Sequence, residues 1–333
     1  MLHNGRGRFK IQGALHRAAG LLWVPMRAIV DASSRGRILV SGPDGPAFLH
    51  RLSTQHVSER KPGDACLNVL TNDKGRIVDV VHHVVLDADT ILLVGHRKTA
   101  DELIAWLDRY CFSEKVTFAP HDGACILADA ASANDVVAGT ATLAPWASLQ
   151  QGEIIAVRTF DRVDSDGALV PTVLLLAPTA AQLPGPPLVA LDAVRAMAAG
   201  VPGVEMGDAH TPLDLELHDA IHWAKGCYIG QEVIARLDTY GKQRRRLVSV
   251  VGDDVAVGDS VVVGVDGADV VVGSVTSTLP STATPLTPSL PRAMALVKLG
   301  ADALPTTATL QRADGSSRPA TLQVRRTAQL PHE

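Results

Sequence analysis

The chain has 333 residues, more than one hydrophobic core usually serves, so length alone predicts two or three domains. Hydrophobic residues make up 46% and charged residues 20%, with a formal net charge of -4; this is a globular composition without the broad basic footprint that duplex nucleic acid requires. No run of ~18 uncharged apolar residues marks a membrane span. The four cysteines, Cys66, Cys111, Cys125 and Cys227, show neither zinc-type spacing nor a disulfide framework. A cytoplasmic location is the resulting expectation.

Residues 1–24 form a basic leader that reads as disordered or as a mis-called start. "RGRILVSG" (35–42) then predicts a strand, and "PDGPAFLHRLS" places Phe48, Leu49 and Leu52 on one helical face. "ACLNVLT" and "GRIVDVVHHVVL" are apolar runs on either side of "NDKG" (72–75), the pattern of a hairpin. After a turn at "DAD" (87–89) comes the strand "TILLVG". Thr99 and Glu102 have capping-box spacing ahead of Leu103, Ile104, Leu107 and Tyr110, an amphipathic helix. "ACILADA", "EIIAVRTF" and "GALVPTVLLLAP" read as strands, and "PPLVALDAVRAMAAG" as a helix stopped at Gly200. Beyond Arg246, short β-rich runs broken by Gly and Asp predict a small barrel or sandwich. "TSTLPSTATPLTPSLP" (276–291) reads as a long loop before a last strand, "AMALVKL".

The residues with most chemistry lie in "WAKGCYIGQEVIARLD" (223–238). A helix starting near Gly230 puts Cys227 just before unpaired amide N–H groups, and Lys225 adds positive charge; both favour a thiolate. Gly226 and Gly230 permit tight backbone geometry or close approach of a ligand. From these features alone two readings stand, an activated thiolate and an inert core thiol, which free cysteines more often are. Glu232, in the first helical turn, interacts favourably with the helix dipole. His218 and His222, four apart in "HDAIH", have the spacing of a helical metal pair, but the residues around them form no clean helical face, so no metal site is expected. The adjacent His82 and His83 point to opposite faces of a strand. The run Arg244 to Arg246 reads as a solvated strand start or as a local phosphate contact.

"KGCYIGQEVIAR" resembles the K-G-C-Y-x-G-Q-E-x-x-x-R motif of the YgfZ family, folate-binding proteins involved in iron–sulfur protein maturation. "LVSGPDGPAFLHRLSTQHV" and "LNVLTNDKGRIVDVV" look like that family's opening and hairpin, and "GSVTS" with "MALVKL" looks like its last barrel. The resemblance implies an α+β fold with the three-lobed arrangement of the T-protein aminomethyltransferase of glycine cleavage, ending in a small β-barrel. The lobes implied are residues 25–50 with 122–240, an inserted α+β unit at 51–121, and the barrel at 241–333. It further implies a tetrahydrofolate or other reduced folate in a central channel, with Arg236 and Arg244 toward the anionic glutamyl tail. Cys227 would be the reactive group and Lys225 its electrostatic partner, with Gly226, Tyr228, Gly230 and Gln231 shaping the loop. Asp79 falls in the region of the transferase's acidic pair, the companion position being Val78, and in "AMAAG" (196–200) Ala198 stands where the transferase's R-L-E-A-G stretch has its glutamate. The resemblance implies that a carboxylate at Asp79 would hydrogen-bond a pterin or accept a proton near a folate nitrogen, provided the fold brings it within reach. The function implied is iron–sulfur cluster assembly or repair that indirectly supports tRNA modification, with iron–sulfur proteins as partners. The alternative is a tetrahydrofolate-dependent aminomethyltransferase or demethylase.

Overall fold

The computed structural model describes residues 29–163, 169–184, 189–190, 205–241, 243–265, 267–278, 293–298 and 305–324. In chain order the first lobes contain β1 (Val30–Asp31), β2 (Arg37–Ser41), α1 (Gly45–Leu52), β3 (Ala65–Thr71), β4 (Ile77–Val85), β5 (Thr90–Gly95), α2 (Ala100–Asp108), β6 (Thr117–Pro120), β7 (Ala124–Asp129) and α3 (Ala130–Asn134). They continue with β8 (Ser148–Gln151), β9 (Ile154–Val163), β10 (Leu169–Ala177) and β11 (Val189–Ala190). After α4 (Gln231–Thr239) come β12 (Arg245–Val251), β13 (Ser260–Val265), β14 (Ala268–Thr278), β15 (Ala293–Lys298), β16 (Thr307–Gln311) and β17 (Ser317–Val324).

These strands form a six-stranded sheet, β11-β1-β7-β10-β9-β8, a five-stranded sheet, β3-β4-β5-β2-β6, and a closed barrel, β12-β15-β14-β13-β16-β17. The two open sheets pack face to face. Val84, Leu92 and Val94 of the five-stranded sheet meet Leu127, Val157, Leu174 and Leu176 of the six-stranded one in a single buried cluster. The opposite face of the five-stranded sheet is covered by Phe48, Leu49 and Leu52 of α1 and by Leu103, Trp106 and Leu107 of α2. Burial on both faces explains why β4 and β5 read as near-continuous apolar runs rather than alternating ones. Closing the last sheet into a barrel leaves it no free edge.

The capping box predicted at Thr99 and Glu102 is present: Glu102 N–H donates to Thr99 Oγ1, and Thr99 N–H to the Glu102 carboxylate. In the predicted hairpin turn, Asn72 Oδ1 accepts from the N–H groups of Lys74 and Arg76, and Gly75 takes φ +66°. The boundary expected at residue 50 falls after β2, which pairs with β5 and β6 in the five-stranded sheet. Of the helix expected at 186–200, Val189–Ala190 is strand β11, paired parallel with β1, and the rest lies outside the described residues, as does most of the loop expected at 276–291. The His218 segment is a one-turn 3-10 element, His218–Ala220, rather than an α-helix.

Between the hairpin and the barrel runs the segment 205–222. Its Met206, Leu215, Leu217 and Ala220 join Val69, Ile77 and Val80 of β3 and β4 with Leu247 and Met294 of the barrel in one buried cluster. Polar contacts reinforce this junction. Arg246 Nε donates to Glu216 Oε1 at 2.7 Å, Gln243 Nε2 donates to the Leu213 carbonyl at 2.6 Å, and Thr276 Oγ1 donates to Glu205 Oε1 at 2.5 Å.

Candidate functional site

Three groups of contacts fix the loop 222–230, which enters α4. At its start, His222 N–H donates to the Thr54 carbonyl at 2.9 Å. Residues 219 and 220 are held by Gln55 Nε2 and Thr54 Oγ1, each donating to a backbone carbonyl. At its end, Ile229 N–H donates to the Arg51 carbonyl and Thr71 Oγ1 donates to the Ile229 carbonyl at 2.5 Å. Gly230, at φ +82°, precedes α4 and sits against the hairpin turn, where an added Cβ would overlap the Asn72 carbonyl and come within 2.8 Å of the Gly75 Cα. The two glycines face each other because neither turn leaves room for a side chain. Gly75 is the counterpart that sequence reasoning saw only as a hairpin residue.

The third contact is Lys225. Its side chain is buried, and its ammonium donates to the carbonyls of His50, Ser53 and Gln55 at 2.6, 2.6 and 2.8 Å. A helix leaves its last four carbonyls without internal partners. In α1, Leu49 receives the Ser53 hydroxyl, His50 the Lys225 ammonium and Arg51 the Ile229 N–H. The motif loop therefore caps α1, and the lysine charge lies at the negative end of that helix. Burial pulls the Lys225 ammonium down to about 8, and the thiol acting on its charge is the buried Cys66. The same ammonium lies 5.2 Å from the ring centroid of the half-buried Tyr228, whose hydroxyl burial pushes up to about 12.

Cys227 stands exposed between these fixed points, whereas Cys66 and Cys125 are buried and Cys111 is partly covered. Gly226 beside it has open space around its Cα. Gln231 opens α4, its N–H bonded to the Tyr228 carbonyl. Glu232 and Arg236 form an exposed i,i+4 ion pair at 2.6 Å, and Arg244 is exposed near the start of β12.

Asp79 lies elsewhere, with no hydrogen-bond partner from the motif. It is fully buried on β4, and its carboxylate accepts from the N–H groups of Val80, His96, Arg97 and Lys98 at 2.8–3.3 Å. Gly95 makes room for it, since a Cβ there would lie 2.6 Å from Asp79 Oδ2. Burial pushes the acid up to about 6, against the opposing pull of the backbone N–H groups. The arrangement anchors the turn between β5 and α2 to β4.

Histidines crowd both regions. His82 stacks on His96 at 4.9 Å, with Trp146 beside it. His50, His56 and His222 form a ring chain at 4.7 and 5.4 Å next to Lys225. Local periodicity gives no sign of this chain, because its members come from α1, the following loop and the residue just before the motif. His218 faces Glu216 at 3.9 Å instead of joining His222. No cluster of three or more metal-ligating side chains is found among the described residues. No helix among them is long and apolar enough to cross a membrane.

Residues 26–154 match the family described as GCVT N-terminal domain. The chain is 28% identical over 239 residues to a putative chloroplastic transferase of Arabidopsis thaliana, covering 66% of this chain and 55% of that protein. It is 30% identical over 125 residues to an aminomethyltransferase of Chlorobium luteolum, covering 38% and 30%. The matches thus span about half or less of these curated relatives. Among solved structures, the glycine cleavage system aminomethyltransferase T of Bartonella henselae superimposes with a TM-score of 0.68 at 18% identity, covering 89% of this chain and 85% of that one. The chain therefore shares the fold of aminomethyltransferase T, and its residues 26–154 match the GCVT N-terminal domain.

Proposed function

We propose that this chain is a reduced-folate-binding protein of the YgfZ type that acts in iron–sulfur cluster assembly or repair, with Cys227 as its reactive group. The observation that carries the reading is the mounting of Cys227: the exposed thiol sits on a loop braced at residues 222, 225 and 229–230. A cysteine kept only for packing would be buried, as Cys66 and Cys125 are. The motif around it, K-G-C-Y-x-G-Q-E-x-x-x-R, supports the same reading.

The residues present fit a folate. Its glutamyl tail calls for guanidinium donors, which the exposed Arg236 and Arg244 offer. The half-buried Tyr228 follows Cys227 in the chain, and Gln231 opens α4. Bound tetrahydrofolate would supply amine nitrogens, one in the reduced pterin ring and one outside it, that accept a one-carbon unit. The chain's own residues hold its tail and keep the thiol accessible.

The alternative, aminomethyl transfer or demethylation, calls for Asp79 as the group that takes or holds a proton. That carboxylate is already occupied by backbone N–H groups and closed to solvent, which favours the accessory role. The test is calorimetric titration with tetrahydrofolate, followed by incubation with a methylamine donor. Binding without sustained formation of methylenetetrahydrofolate is expected. Absence of binding would overturn the folate reading, and sustained turnover would favour the transferase. The clients proposed are iron–sulfur enzymes, including those that modify tRNA, and a cytoplasmic location remains part of the proposal.

A further inference from the structure

Resting on the reading of Cys227 as the reactive thiol, we propose that Lys225 is a positioning residue: it caps α1 to fix where that thiol stands, and it is not the thiolate's counter-ion. An ammonium has three N–H donors, and all three are taken by the carbonyls of His50, Ser53 and Gln55. None is left for a thiolate. The three acceptors lie at the C-terminal end of α1 and just beyond it, where the helix dipole favours a cation and its last carbonyls need donors.

Chain connectivity turns this cap into a positioning device. The loop is held at His222 by the Thr54 carbonyl, at Lys225 by the three carbonyls and at Ile229 by the Arg51 carbonyl. All five acceptors belong to residues 50–55, so a single short segment sets both ends of the stretch that carries Cys227. A Cβ added at Gly226 would meet nothing within 4 Å, so no side chain packs over this position. With the lysine removed, the loop's remaining bonds to residues 50–55 are the two outer ones, seven residues apart in sequence. A cation required only for its charge is replaceable by arginine; a cation required for three convergent short bonds is not, because the planar guanidinium directs its donors as a fork.

The experiment uses the full chain as wild type, Lys225→Met and Lys225→Arg. Three quantities are measured: amide hydrogen exchange at His222 and Ile229, the pH midpoint of Cys227 alkylation by iodoacetamide, and rescue of iron–sulfur enzyme activity in a strain lacking its own homologue. In both variants, exchange at the two amides is expected to rise at least about tenfold, with α2 amides unchanged. The alkylation midpoint should move by less than about half a unit. Rescue should fail even though tetrahydrofolate binding persists. If Lys225→Arg exchanges and rescues like wild type while Lys225→Met raises the midpoint by about a unit or more, the counter-ion role holds and the proposal is overturned. Should Lys225→Met fail to fold, Lys225→Arg decides alone: wild-type exchange at His222 and Ile229 overturns the clamp. Full rescue by a Cys227→Ala variant would instead refute the reactive thiol, and the exchange rates would still decide independently whether Lys225 clamps the loop.

Discussion

Gly226 and Gly230 flank the same cysteine, yet alanine should have opposite effects at the two positions. At Gly230 the backbone has φ +82°, and a Cβ would overlap the Asn72 carbonyl and lie 2.8–2.9 Å from the backbone of Gly75. The left-handed conformation alone costs an L-residue roughly 1–2 kcal/mol. The overlap is with backbone on both sides, so relief requires α4 and the hairpin to move apart, adding strain of about 1–3 kcal/mol. Lower entropy of the unfolded chain offsets about 0.4–1 kcal/mol. The net expectation for Gly230→Ala is a loss of about 1–4.5 kcal/mol. At Gly226 nothing lies within 4 Å of the added carbon, so only the unfolded-state term remains, and Gly226→Ala should be neutral or stabilising by up to about 1 kcal/mol. Urea unfolding followed by far-ultraviolet circular dichroism reads both. Equal midpoints for the two variants would refute the close docking of the motif loop on the hairpin.

Two further outcomes are expected. Because burial raises the Asp79 pKa from about 3.9 in the unfolded chain to about 6, the folded state binds more protons between these values. The contribution of Asp79 is then fully present below pH ~4 and lost as pH rises through ~6. The stability difference between wild type and Asp79→Asn should accordingly fall by about 2–3 kcal/mol between pH 4 and 7, and a difference flat with pH would contradict the buried anchor. Arg236→Ala should weaken tetrahydrofolate binding while leaving the urea midpoint within about 0.5 kcal/mol of wild type, because its ion pair with Glu232 is exposed and worth little. Calorimetry showing unchanged affinity would remove Arg236 from the folate site.

Local signals carried much of the fold into the sequence. The Thr99–Glu102 spacing, the NDKG turn and the Gly-punctuated barrel strands each depend on residues close together in the chain, and each is found where expected. The placement of β2 was less legible, since its partners β5 and β6 lie about fifty and eighty residues away and its apolar residues suit either sheet. At the candidate site, the motif singled out residues without revealing their contacts. Lys225 read as a charge beside a thiol, but its acceptors are 170 to 175 positions upstream. Asp79 read as a free acid on a strand, because nothing in the sequence around it reveals that a turn seventeen to nineteen residues later closes over its carboxylate.

The central claim, that the chain works through an accessible thiol at Cys227, is tested most directly by Cys227→Ala in a strain lacking its own homologue, scored by activity of iron–sulfur enzymes that modify tRNA. An exposed cysteine contributes little packing, so the variant should fold with an unfolding midpoint within about 0.5 kcal/mol of wild type and still bind tetrahydrofolate. The account predicts that enzyme activity falls to the level of the empty strain. Full rescue by the alanine variant would contradict it.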